Sequence, residues 1–102
     1  MKAANHDLKA KIIITGEELE VLHSLTYQMA ESFGLDTRID KYQGKRAISF
    51  HAWDFDCLFA VIELSLADPK AFPDKTNSRY IALENLCARL KTSYIETFHR
   101  PY

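Results

Sequence analysis

TRIDKYQGKRAISFH, residues 37–51, is the stretch on which the fold turns. With a two-residue loop at Gln43-Gly44, Tyr42 pairs with Lys45, and the register sets Ile39 opposite Ile48 and Thr37 opposite Phe50 on one face. That alternation predicts a β-hairpin. Gln-Gly is a weaker turn signal than Asn-Gly, which leaves a longer loop open.

Upstream, Ile12 to Ile14 are β-branched and read as a short strand. Thr15 precedes Glu18 by three residues, the spacing of a capping box, and Glu17, Glu18 and Glu20 suit the positive end of a helix dipole. At about 100° per residue, Leu19, Leu22, Leu25, Met29, Ala30 and Phe33 share one face of this first helix, and Gly34 is placed to cap its end.

Downstream, a second helix is expected from about Trp53 to Ala67, stopped by Asp68-Pro69. Phe55, Leu58, Phe59, Ile62 and Leu66 form one apolar face; Trp53, Cys57, Val61 and Leu64 form another. Such a helix asks for cover on both sides. DPKAFPDKTNS, residues 68–78, reads as a loop with Asp74, Thr76 and Ser78 as capping candidates. A third helix is expected over about Arg79 to His99, with Leu83, Leu86, Cys87, Leu90, Tyr94 and Phe98 on its main face.

These pieces predict an α+β domain in the order β-α-β-β-α-α. Three short strands, at about 10–14, 37–42 and 45–51, form a small sheet, with three helices packed mainly on one face and the position of the first strand left open. At 102 residues the chain suits one domain, residues 1–8 reading as a flexible tail, and 47% hydrophobic with 26% charged residues is ordinary for a folded protein. No linker or second domain is expected.

Thirteen Lys plus Arg against fourteen Asp plus Glu give a net charge of -1, so any anionic partner would need a local patch. The charged N-terminus and the short apolar run CLFAVI, far below the roughly 18 residues of a membrane span, predict a cytoplasmic protein that makes no use of a membrane. Its size and lack of motifs suit the small proteins of bacterial genomes and mobile elements. Cys57 and Cys87 have no zinc-type spacing and read as reduced and structural.

His51, Asp54, Asp56 and Cys57 crowd seven positions, but Asp54 and Asp56 would lie about 200° apart on a helix and Asp56 and Cys57 about 100° apart. Only His51 with Asp54 can pair. An echo supports capping there: shifted by 36 positions, Thr15, Glu18 and Leu22 fall on His51, Asp54 and Leu58. His6, His23 and His99 are scattered and read as surface residues. Gly16, Gly34 and Gly44 are too dispersed for a phosphate loop, and no GxSxG or SxxK pattern occurs. No cofactor or metal site is expected.

Three functional readings follow. The first is a non-enzymatic interaction or regulatory protein that binds a protein partner or small ligand, working as a homodimer. Its interface would use Trp53, Val61 and Leu64 with Ile81, Ala88 and Ile95, which recur every seven residues along the last helix. The alternative is that the helices cover one another within a monomer. The second reading is a small enzyme or ligand-binding domain with a pocket near His51, Asp54 and Tyr42. The third is nucleic-acid binding by the basic stretch Arg38, Lys41, Lys45 and Arg46. Four charges without a supporting basic helix favour a simpler role, keeping a sheet edge soluble.

Overall fold

β1 (Ala10–Ile12) runs antiparallel to β2 (Ile48–Phe50) in a computed structural model that describes residues 8–29 and 34–99. Ala10 faces Phe50, Lys11 faces Ser49 and Ile12 faces Ile48. Alternation along each strand sends Ala10, Ile12 and Phe50 into the core and leaves Lys11 outside. Between the strands lie α1 (Gly16–His23), a 3-10 turn (Thr26–Met29) and α2 (Leu35–Lys41); α3 (Ala52–Ala67) and α4 (Ser78–Phe98) follow. The domain is mixed α+β and mostly helical.

The expected hairpin does not form. Residues 37–41 belong to α2, and β2 pairs with β1 instead, so the described residues hold a two-stranded sheet and four helices rather than three strands and three helices. Leu35 and Ile39 explain the difference: at i and i+4 they lie on one face of a helix, and both are fully buried. In so short a segment, Thr37 and Ile39 fit strand alternation equally well, and only the buried Leu35 decides between them. Asp36 in the first turn, with Arg38 and Lys41 in the last, matches the helix dipole.

The first helix is also shorter than expected. Ser24 Oγ donates to the Val21 carbonyl (2.6 Å) and Thr26 Oγ1 to the His23 carbonyl (3.0 Å), so hydroxyls take up carbonyls that continued helix would use. The chain then tightens into i to i+3 bonds at Leu25 and Gln28. Ala30 and Phe33, expected on its apolar face, lie outside the described residues, as do residues 1–7 of the tail expected at 1–8. Gly34 has a left-handed backbone (φ 80°) directly before α2. Thr15 sits at the N-cap of α1 without a side-chain bond, and Glu18 pairs instead with Arg89. Arg89 also donates to the Ile13 carbonyl (2.6 Å), tying α4 to the end of β1.

α3 and α4 lie within a residue of their expected limits. Asn77 caps α4, its side chain accepting from the Arg79 N–H at 2.8 Å, in place of the expected Asp74, Thr76 or Ser78. Asp74 instead ties the loop, accepting from both the hydroxyl and the N–H of Thr76, bonds that lower its carboxyl pKa.

α4 packs on α1, α3 and β1, while α3 also packs on β2. Their junction is aromatic. The buried Phe55 ring meets Phe50, Phe59, Tyr94 and Phe98 at centroid distances of 5.4–5.9 Å. Cys87 lies in this core, where burial pushes its thiol pKa up. On the second face of α3, Val61 is buried within the chain, whereas Trp53 and Leu64 stay 44% and 68% exposed at its two ends. No helix among the described residues is long and apolar enough to cross a membrane.

Candidate functional site

β2 delivers the chain to His51, which serves as the N-cap of α3. Asp54, three residues on, turns back so that its Oδ2 accepts from the His51 N–H at 2.8 Å. This is the capping role its spacing predicts. The same oxygen accepts from Arg38 Nη2 at 2.8 Å, and Arg38 Nη1 donates to the Ser49 carbonyl at 3.1 Å. Asp54 is 1% exposed and Arg38 is 40% exposed, so a buried carboxylate holds an accessible guanidinium in place. A guanidinium carries five N–H donors, and these two bonds leave the others for an anion.

His51 Nδ1 lies 3.6 Å from Asp54 Oδ2, a distance of electrostatic proximity rather than a hydrogen-bonded dyad. Its ring stacks on Trp53 instead, centroids 4.3 Å apart and planes 6° from parallel. The strand register, continued one step, sets Lys9 opposite His51. Lys9, Arg38, His51 and Trp53 line a surface hollow of about 750 Å³.

A second hollow of about 590 Å³ is also lined by Arg38, together with Lys41, Lys45 and Arg46. Arg38 and Lys41 come from α2, while Lys45 and Arg46 come from the loop leading to β2. Two residues hold that loop. The Tyr42 hydroxyl donates to the Arg46 carbonyl (2.6 Å) and accepts from the Ile14 N–H (3.2 Å). Gly44 has φ 78°, and a Cβ there would lie 2.9 Å from the Ile14 carbonyl oxygen, so a side chain would meet both backbone strain and a clash. His23 supports the end of α2: its Nε2 is 2.9 Å from the Ile39 carbonyl and 3.2 Å from that of Tyr42, two acceptors that require the proton on Nε2.

Arg38, Lys41, Tyr42, Lys45 and Arg46 therefore border one hollow and Arg38 and His51 the other, although the Tyr42 hydroxyl is engaged in the fold and Asp54 is buried. Lys9 was missed in the sequence because only the β1–β2 pairing brings it here. Trp53, an interface candidate from the sequence, also stacks on His51 and lines the first hollow. No carboxylate lines either hollow among the described residues. The other interface candidates lie elsewhere: Leu64 beside Tyr27, and Ile81, Ala88 and Ile95 exposed along α4. No grouping of three His, Cys, Asp or Glu side chains suited to a metal occurs among the described residues. No family model, curated protein or solved structure matches the chain.

Proposed function

We propose that this chain is a non-enzymatic binding protein and that the face centred on Arg38 takes a ligand carrying several negative charges. The observation that carries this reading is the setting of Arg38. Its guanidinium is fixed by Asp54 and Ser49 and borders both hollows, with Lys41, Lys45 and Arg46 lining one and Lys9, His51 and Trp53 the other. A pre-positioned cation loses little freedom on binding; Asp54 offsets the charge of Arg38 from beneath, so the surplus positive charge comes from Lys9, Lys41, Lys45 and Arg46, with no carboxylate among the described lining residues. Asp54 Oδ2 accepts from the His51 N–H and from Arg38 while the buried Oδ1 meets no partner among the described residues, and the 3.6 Å from Oδ2 to His51 Nδ1 argues against the enzyme reading with a His51–Asp54 base.

Titration calorimetry with a short inorganic polyphosphate tests the proposal. Saturable binding that weakens as salt rises is expected, and Lys45→Glu/Arg46→Glu should weaken it strongly. Absence of binding, or equal binding by the double variant, contradicts the reading.

The exposed line Ile81, Ala88 and Ile95 favours a second reading, self-association through α4. An antiparallel pairing about Ala88 sets Ile81 against Ile95 of a second copy, with the small alanine allowing close approach. So narrow a line supports weak dimers. Sedimentation velocity should show concentration-dependent association that Ile95→Glu removes; a monomer at every concentration counts against it.

A further inference from the structure

We infer that the ligand of the Arg38 face is single-stranded nucleic acid, its phosphates following the cations from Lys9 through Arg38 to Lys41, Lys45 and Arg46, with one base stacked on Trp53. The inference rests on the anion-binding reading and names its ligand.

Two features select a strand over a single anion. The cations border two adjoining hollows, each within the roughly 300–1,000 Å³ of ordinary ligand sites, and Arg38 joins them. The cations are divided between two hollows rather than gathered in one, which suits a ligand with several phosphates. The loop bearing Lys45 and Arg46 is latched by Tyr42, and Arg38 is held by Asp54, so three of the five cations have a supported position before any ligand arrives.

Trp53 supplies the other recognition element. Its indole is held parallel to His51 yet stays 44% exposed, and it stands among cations rather than apolar neighbours. An aromatic in such a setting suits a ligand that carries both a flat π-face and negative charge. Bases offer that face when unpaired, whereas a duplex hides it within its own stack. An acidic peptide brings charge without the ring. An anionic bilayer calls for an apolar anchor of several side chains, and Trp53 is the only exposed large apolar residue lining either hollow among the described residues. α2 carries Asp36 and Asp40 beside Arg38 and Lys41, so no basic helix supports the four charges of the sequence; what the structure adds to them is Lys9 and the exposed Trp53.

Fluorescence anisotropy with labelled oligothymidylate, an abasic strand of equal length and a duplex of the same length provides the test, with phosphatidylserine vesicles as a separate arm. Oligothymidylate should bind more tightly than the other two strands. Trp53→Ala should weaken it by roughly 5- to 150-fold, the range expected for removing one base stack, while leaving the abasic strand unaffected. Trp53→Phe should restore much of the affinity. Lys45→Glu/Arg46→Glu should flatten the salt dependence by about 1.4 or more in log–log slope, about 0.7 for each phosphate that the variant no longer neutralises. Equal affinity for abasic and base-bearing strands, with no effect of Trp53→Ala, overturns the inference while leaving a general anion site standing. Binding to vesicles or polyphosphate without binding to oligothymidylate overturns it in the same way, and failure of every anionic probe overturns both readings.

Discussion

Phe55→Ala is expected to destabilise the domain by about 3–5 kcal/mol, the range for removing a fully buried aromatic from a close-packed core. Phe55 is 0% exposed, and its ring meets Phe50 on the sheet, Phe59 on its own helix, and Tyr94 and Phe98 on α4. One truncation therefore loosens the junction of β2, α3 and α4 together. Since domains of this size hold only about 5–15 kcal/mol in total, the variant should sit close to unfolding. Urea denaturation followed by far-UV circular dichroism measures the effect, with Phe55→Leu as a milder companion that retains more of the packing. A change below about 1 kcal/mol for the alanine variant would mean that these rings are not packed as described.

Asp54→Ala is expected to cost about 2–3 kcal/mol and to weaken polyphosphate binding as well. About 1 kcal/mol comes from removing the bond to the His51 N–H at the start of α3. The charge-assisted bond to Arg38 adds about 1–2 kcal/mol, toward the lower figure because the Arg38 side chain is 40% exposed. Asp54 acts on the ligand only through Arg38, as a positioning residue. Asp54→Asn keeps an acceptor for the cap while removing the charge. It should therefore recover part of the stability but less of the binding. Comparing urea midpoints and calorimetric affinities for the two variants separates these contributions. An alanine variant with full affinity would show that Arg38 needs no support from beneath.

Long periodic segments were legible in the sequence. The apolar faces of α3 and α4 persist over several turns, so their limits can be read to within a residue. The span 37–42 misled because it is shorter than two helical turns, where a period of 2 and a period of 3.6 predict similar positions. Tertiary burial of Leu35 settled it. The end of α1 depends on where two hydroxyls bond, a choice that apolar spacing does not encode. Much of the candidate site was visible as chemistry: Arg38, Lys41, Lys45 and Arg46 form the most basic stretch, and the cap spacing assigns Asp54 its structural role. Its assembly was not visible. The approach of Lys9 to His51 follows from pairing strands distant in sequence, and the link from Arg38 to Asp54 from a helix where a strand was expected.

Chemical-shift mapping of the isotopically labelled protein during titration with short inorganic polyphosphate tests the anion face most directly. Progressive shifts are expected at the amides of Lys9, Arg38, Lys41, Lys45, Arg46 and His51 and at the Trp53 indole N–H, as one contiguous surface. Shifts that leave this set unmoved, or that follow Ile81, Ala88 and Ile95 on α4 instead, would contradict it.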